Sequence, residues 1–182
     1  MARVKENAMT VKIDDFKAAF ETGFARPNRY KVIMPRNPAG VGDPYRLNIM
    51  CDSVTMPGRQ IFTQDISKTL KTNKVAYTFD SRDVNISFIL DNDWYPWEYI
   101  NTWHSSIIPN VEGSRNFAVG FKDDYTEQIE IEHLDQENNI TNAVILKEAF
   151  PTTLSAVDLG NGESGEVIRV EATFTYDNWE IR

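Results

Sequence analysis

Apolar and polar residues alternate along several segments of the chain, which is the pattern of β-strands with one buried face. The clearest examples are residues 84–90 and 167–176, where every second residue is apolar. Shorter versions of the pattern occur at residues 30–34, 45–51, 75–79, 126–133 and 140–150. Because most of these segments follow one another without a helix between them, we predict a mainly β protein. Its expected architecture is an antiparallel β-sandwich or barrel.

Two segments have the spacing of helices instead. Residues 16–21 place two phenylalanines four positions apart, and residues 94–106 carry an apolar stripe at helical spacing. The second segment follows two aspartates that can cap its N-terminus, and Pro96 is tolerated in a first helical turn. We therefore expect one or two short α-helices flanking the sheets.

The length of 182 residues is that of one ordinary domain. Residues 1–13 have neither pattern and are predicted to be an N-terminal arm, followed by a single domain over residues 14–182.

Residues 58–74 are polar with few large apolar side chains, and we predict a long basic loop there. A segment of this kind inside a small domain is usually functional or disordered. Residues 30–34 and 45–51 are expected to form a hairpin.

Charge is unevenly distributed along the chain. Residues 1–91 carry 14 Lys and Arg against 10 Asp and Glu, whereas residues 92–182 carry 5 against 17. The resulting net charge of −8 argues against a surface that holds DNA or an anionic membrane. A basic half and an acidic half can instead be complementary surfaces of two copies of the chain. The alternative is that the charges mix once the chain folds.

The N-terminus lacks the apolar run of a secretory signal peptide, and no stretch of ~18 apolar residues is present to span a bilayer. We therefore expect synthesis in a cytoplasm and no membrane partner. The single cysteine excludes an intrachain disulfide and a zinc site made only of cysteines.

Candidate catalytic groups are few. Cys51 lies on the apolar side of a predicted strand, where a buried thiol has a raised pKa and is inert. His104 lies in a helical stripe and His133 ends an acidic strand, so neither is paired with a nucleophile. The G-x-G-x-x-G sequence at residues 160–165 precedes a strand rather than a helix, which favours a turn over a dinucleotide site. We expect no enzymatic activity and no cofactor.

Two clusters could bind ligands. One is a possible metal site formed by Glu130, Glu132, His133 and Asp135. Its spacing matches no metal motif, and a solvated acidic face is the simpler interpretation. The other is an aromatic cluster formed by Trp94, Tyr95, Trp97, Tyr99 and Trp103. It could stack on bases or sugars in a monomeric ligand-binding β-sandwich, but packing of a helix on the sheet is the simpler interpretation.

Several short segments occur in a recognisable order. A predicted short helix is followed by Ala-Arg-Pro-Asn at residues 25–28 and a strand, and Thr-Met-Pro-Gly follows at residues 55–58. A central strand then leads into Asn-Asp and a Trp-bearing helix. Phe-Pro-Thr-Thr at residues 150–153 and Asp-Asn-Trp-Glu at residues 177–180 complete the series. In this order, over most of the chain, the segments resemble the tail tube proteins of contractile-tailed bacteriophages.

The resemblance implies a subunit that forms hexameric rings, which stack into a hollow tube. It implies as partners further copies of the chain, the tail sheath, the baseplate and the tape-measure protein, with DNA passing through the lumen during ejection. The expected location is the virion tail, assembled in the host cytoplasm. Two alternatives remain within this class: a baseplate or tail-terminator ring protein of the same fold, and the tube protein of a protein-translocating contractile injection system.

This interpretation gives roles to two sets of charged residues. The residues predicted to contact neighbouring subunits or rings are Arg59, Lys68, Lys71 and Lys74. The acidic residues predicted to face the lumen are Glu130, Glu132 and Glu171. The first set can pair with an acidic partner surface, and the second can keep DNA from adhering to the wall.

Overall fold

The computed structural model describes residues 13, 17, 23–68, 71–108, 119–160, 165 and 167–182. The strands of this part are β1 (Tyr30–Ile33), β2 (Cys51–Val54), β3 (Gly58–Lys68), β4 (Lys71–Arg82), β5 (Val84–Ile89), β6 (Glu127–Leu134), β7 (Ile140–Leu154), β8 (Arg169–Thr175) and β9 (Asn178–Ile181). Its helices are α1 (Pro44–Ile49), α2 (Tyr95–Ile107) and α3 (Lys122–Tyr125). All the strand pairs are antiparallel. The predicted mainly β class with short helices is confirmed. Apart from Ile13 and Lys17, the predicted arm and the helix predicted at residues 16–21 lie outside the described residues.

Strand β7 belongs to two sheets. Its N-terminal part pairs with β6 and β9, and β6 pairs with β1; we call these strands the first sheet. Its last residues, 150–154, pair with β8, which continues to β5 and β2; we call these the second sheet. Glu148 has a positive φ of 53°, and the register shifts after Pro151, so the strand bends where it changes sheets. Among the described strands β1 and β2 have one partner each, so the sheets form a sandwich that is not closed into a barrel.

The core lies between the inward faces of the two sheets. Alternate residues of β5 and β8 point into it, which is why the strands at residues 84–90 and 167–176 were predictable from periodicity. The largest fully buried side chains are Trp103, Phe88, Phe174, Leu47, Ile86, Ile100, Ile129, Ile131, Leu146, Val32, Val84 and Val170. Both sheets and helices α1 and α2 contribute to this one cluster.

Helix α2 begins after a tight turn at Trp94, whose φ is 56°. The N-cap residue is Trp94, which makes no side-chain cap hydrogen bond, while the Asp91 carboxylate three residues earlier accepts the backbone N–H of Tyr95 at 2.9 Å. The guanidinium of Arg46 pairs with Asp91 and, at 2.7 Å, with Asp93. This pairing joins α1 to the beginning of α2.

Residues 45–51 were expected to form a strand, and this prediction is wrong. Asp43 caps α1, accepting the N–H of Tyr45 at 3.0 Å, and Pro44 occupies the first helical turn. Of the helix side chains only Leu47 is buried, whereas Tyr45 is 69% exposed and Ile49 is 67% exposed. The alternation of apolar residues therefore did not reflect a buried face. The hairpin expected with residues 30–34 is also absent, since β1 pairs with β6.

Residues 58–74 were expected to form a basic loop, but they belong to a β-hairpin. Strands β3 and β4 pair from Gly58 and Arg82 to Lys68 and Lys71, with a bulge after Phe62. They pair with no other described strand. The side chains at residues 59–67 and 72–80 are all exposed. At ~3.4 Å per residue, the hairpin extends roughly 35 Å away from the sandwich.

Candidate functional site

The candidate catalytic residues Cys51, His104 and His133 lie in environments typical of structural rather than catalytic side chains. Burial raises the pKa of the Cys51 thiol to about 11, which leaves it protonated and unreactive at neutral pH. Burial also lowers the pKa of His104, and its Nε2 has no hydrogen-bond partner in the described structure. The His133 ring contacts the hydroxyl of Thr141 at 2.8 Å and the carbonyl of Arg26 at 3.1 Å. These contacts hold strand and loop together and do not pair a base with a nucleophile.

The residues of the possible metal site each take part in a different interaction. Glu130 pairs with Arg182 at 3.1 Å, and Glu132 pairs with Lys31 at 3.5 Å. Asp135 accepts two backbone N–H groups of the turn between β6 and β7, at 2.7 and 2.8 Å. Within the described ranges, no three His, Cys, Asp or Glu side chains are arranged to hold a metal ion.

The aromatic cluster contributes mainly to packing. Trp103 is fully buried and its indole N–H donates to the carbonyl of Tyr125 at 2.8 Å. Tyr99 is 3% exposed and its hydroxyl donates to the carbonyl of Pro35 at 2.5 Å. Such a cluster offers little free ring surface for stacking on a ligand.

None of the described helices combines the length and hydrophobicity needed to cross a bilayer.

The hairpin of β3 and β4 has a largely exposed apolar surface. Ile61, Tyr77 and Phe79 are 61%, 65% and 58% exposed, and with Arg59 they line a shallow cavity of about 340 Å³ on one face. Phe62, Ile66 and Val75 are also exposed. Apolar side chains concentrated on a two-stranded ribbon that covers no core are typical of a surface that binds another protein.

The predicted basic contact residues fall at different places along the hairpin. Lys74 lies opposite Asp65 in the middle of the ladder, and Lys68 lies opposite Lys71 in the last described pair. Arg59 lies at the other end, next to the sandwich. Its guanidinium contacts two aromatic rings of its own chain, Phe79 and Trp179, with its Cζ at 5.1 Å from each centroid. Arg59 therefore already has contacts within its own chain.

The structure does not bring the three predicted lumen residues together. Glu130 and Glu132 lie on the outer face of the first sheet, in ion pairs, and Glu132 is only 5% exposed. Glu171 is exposed on the outer face of the second sheet, opposite Ser87. The core separates these two faces.

The outer face of the second sheet carries mainly side chains with hydroxyl and amide groups, and no sequence motif marks it as a site. The neutral polar residues on it are Asn85, Ser87, Thr173 and Thr175. One charged residue of this face, Arg169, forms an ion pair with Asp52 at 2.7 Å. The signal was present in the sequence as polar residues at every second position of β5 and β8. The face also carries Glu171, whose side chain is exposed.

One edge of the second sheet continues into the hairpin. Strand β2 pairs with β5 only, among the described strands, and the chain runs from β2 through residues 55–57 into β3. The N–H of Thr55 donates to the carbonyl of Asn85 at 2.9 Å, and Tyr176 donates its hydroxyl to the carbonyl of Arg82 at 2.7 Å. The hydroxyl of Tyr30 in β1 donates to the Asp52 carbonyl of β2, so the edges of β1 and β2 lie close together.

Comparison with known proteins shows a family and a fold. The model of the phage tail tube protein family matches residues 16–182. No curated protein sequence matches the chain.

Three similar solved structures come from contractile assemblies. A chain of the six-fold symmetrised cryo-EM structure of the anti-feeding prophage baseplate has a TM-score of 0.63 and 13% identity, covering 87% of this chain and 95% of that one. A chain of the sheath/tube terminator of the extracellular contractile injection system PVC has a TM-score of 0.60 and 13% identity, covering 86% and 95%. A chain of the PVC sheath–tube complex has a TM-score of 0.54 and 13% identity, covering 95% and 99%. At this identity the likeness is one of fold.

Proposed function

The chain belongs to the phage tail tube protein family, and from this premise we propose that it is a structural subunit that assembles into hexameric rings, which stack into a hollow conduit. The family and the similar solved structures are structural tube proteins rather than enzymes. The observation that carries the proposal is the exposed hairpin of β3 and β4, a large apolar and basic element that its own domain does not cover.

Ring formation requires an interface between two different surfaces of the subunit, repeated until it closes. The end strands β1 and β2 belong to different sheets, and each has one partner among the described strands. Two unlike edges of this kind suit a heterologous contact, in which backbone groups of one copy pair with those of the next. Closure after six copies would remove both edges.

The hairpin supplies a second contact, between subunits or between rings. Its apolar residues Ile61, Tyr77 and Phe79 would lose their exposure to water against another copy. Lys74, together with Lys68 and Lys71 near the hairpin end, would meet the acidic C-terminal half of the chain. Contacts between opposite charges set the orientation of docking and weaken with salt.

The outer face of the second sheet is the proposed lumen wall. Its hydroxyl and amide side chains, with the carboxylate of Glu171, offer no concentration of positive charge to hold phosphate. DNA would therefore pass without specific binding. Glu130 and Glu132 lie on the opposite outer face, and the proposal places them away from the lumen, on the side that the sheath would surround.

The proposed partners are further copies of the chain, the tail sheath, the baseplate and the tape-measure protein, and the proposed location is the virion tail after assembly in the host cytoplasm. Two variants of this function use the same fold. In one, the subunit forms a single baseplate or terminator ring; in the other, the tube conducts protein in a contractile injection system.

Negative-stain electron microscopy of purified protein tests the proposal, over a series of concentrations at low and high salt. We expect hollow tubes that become shorter as salt increases. The matched variant replaces residues 61–79 by Asn-Gly, which keeps the pair Gln60–Asp80 and closes it with a tight turn. It should remain folded and form no tubes. Single rings from the wild type would favour the baseplate or terminator variant, and monomers under every condition would contradict self-assembly.

A further inference from the structure

We propose that Arg59 is a positioning residue that fixes the direction of the hairpin relative to the sandwich, and thereby sets the fraction of subunits ready to assemble. Only the effect on assembly rests on the proposed function. The effect of Arg59 on the direction of the hairpin concerns the isolated subunit and can be measured without any assembly.

The hairpin has little else to hold its direction. It pairs with no other described strand, and its side chains at residues 59–67 and 72–80 are exposed. The backbone enters from residues 55–57 and leaves through Asp83. The hydrogen bond from Tyr176 to the carbonyl of Arg82 fixes one strand at its base. A ribbon held mainly at one end can swing about that end.

Arg59 adds a side-chain link between the ribbon and the body. Phe79 belongs to β4 and moves with the hairpin, whereas Trp179 belongs to β9 and pairs with Leu146 of β7. Trp179 is partly buried against the core, so its ring is fixed to the sandwich. With 5.1 Å from its Cζ to each ring centroid, Arg59 contacts a ring of the hairpin and a ring of the body.

The chemistry of arginine suits this position. Its guanidinium is planar, delocalised and weakly hydrated, so it can contact an aromatic ring on each side, whereas a lysine ammonium is a compact and strongly hydrated charge. Cation–π contacts within about 6 Å are attractive even at exposed sites. Arg59 therefore differs in role from Lys74, although the two have the same charge and lie on the same hairpin.

The link acts on an equilibrium between a fixed and a swinging hairpin. A neighbouring copy can dock only on subunits whose hairpin has the fixed direction. The rate of assembly is therefore proportional to the fraction of subunits in the fixed state. Loss of both cation–π contacts is expected to lower the equilibrium constant for the fixed state about tenfold.

The direction of the hairpin can be measured by pulsed electron–electron resonance on dilute, unassembled protein. Spin labels are placed at Ser67→Cys on the hairpin and Asn101→Cys on α2, both at exposed positions, in a Cys51→Ser background. We expect a narrow distance distribution in this background, a broad one after Arg59→Ala, and an intermediate one after Arg59→Lys. The matched control Lys74→Ala removes the same charge from the same hairpin and should leave the distribution narrow.

Assembly is followed in parallel by light scattering in the unlabelled proteins. Arg59→Ala should slow tube growth by the same factor by which it lowers the fixed fraction seen in the distance distribution, while the finished tubes keep the wild-type diameter. An unchanged distance distribution in Arg59→Ala would overturn the proposal and assign Arg59 to the contact between subunits. Equal broadening by Lys74→Ala would overturn it as well, because charge alone would then be responsible. Failure of the wild type to assemble would contradict the proposed function, and the distance distributions would still decide the role of Arg59.

Discussion

The indole ring of Trp103 packs against the ring of Phe174, with 5.9 Å between centroids and 59° between planes. Trp103 belongs to α2 and Phe174 to β8, and both side chains are fully buried. This pair attaches the helix to the second sheet and closes the core on that side. The indole N–H also reaches the carbonyl of Tyr125, just before β6, so one side chain ties together three parts of the chain.

Replacing Trp103 is expected to lower the stability of the domain. Trp103→Ala should lower the free energy of unfolding by about 3–5 kcal/mol, because it leaves a large cavity. Trp103→Phe keeps a ring but leaves the Tyr125 carbonyl without its donor, and should cost about 1–3 kcal/mol. Urea denaturation measures both values. A loss below about 1 kcal/mol for the alanine variant would show that the helix is not part of the core.

Removing most of the hairpin should leave the stability nearly unchanged. The Asn-Gly variant of residues 61–79 removes no side chain of the buried core, so its thermal unfolding midpoint should lie close to that of the wild type. Calorimetry at a protein concentration below the onset of assembly makes the comparison. A large decrease would mean that the hairpin packs on its own domain and is not a free contact element.

The stability of the subunit should decrease in mildly acidic solution, with a contribution from His104. Burial lowers the pKa of this imidazole below 6.5, and this effect outweighs the opposing interaction with the Pro151 backbone. The unfolded chain therefore binds a proton at a higher pH than the folded one. The resulting loss of stability begins as pH falls through the unfolded pKa, about 6.5, and is complete below the folded pKa.

The test compares thermal midpoints at about pH 7.5 and about pH 5.5 in the wild type and His104→Gln. The glutamine variant cannot take up the proton, so its midpoint should decrease less over this range. Parallel pH dependences in the two proteins would show that His104 does not contribute.

The thiol of Cys51 should react slowly in the folded subunit. Its pKa of about 11 leaves little thiolate near neutral pH, and burial restricts access to the sulfur. Alkylation by iodoacetamide, followed by mass spectrometry, should be slow in buffer and fast in concentrated urea. Similar rates in the two solvents would place Cys51 on an open surface.

The lumen assignment predicts a difference between two charge reversals. Glu171→Lys places a cation on each subunit facing the channel, so a six-membered ring would concentrate positive charge there and retain short DNA duplexes in a salt-dependent way. Glu180→Lys makes the same change on the first sheet, where Glu180 pairs with Lys147. Both variants should assemble. Equal DNA retention by the two tubes would contradict the assignment of the second sheet to the wall.

Much of the fold was predictable because burial leaves a period in the sequence. Strands β5 and β8 bury alternate residues, β6 and β7 do so over part of their length, and all four were expected. The hairpin has two exposed faces, so no period is imposed on β3 and the segment looked like a loop. At residues 45–51 the capping signal of Asp43 and Pro44 was present, but the chance alternation of apolar residues pointed to a strand.

The candidate site was less predictable, because it depends on contacts between distant parts of the chain. Alternation correctly indicated that Glu130 and Glu171 point away from the core, but not that they belong to opposite sheets. The charge of Arg59 suggested a partner subunit, whereas its ring partner Trp179 lies far away in the sequence. Resemblance to a family indicated the architecture and the function class, and only the structure showed where the individual charged residues lie.

The bend in β7 has a mechanical consequence. Since one continuous backbone runs from the first sheet into the second, tension applied to either sheet passes through covalent bonds to the other. The two layers of the sandwich cannot slide apart without breaking ladder hydrogen bonds on both sides of the bend. The subunit should therefore bear load as one body, giving a single rupture event when it is pulled from its ends.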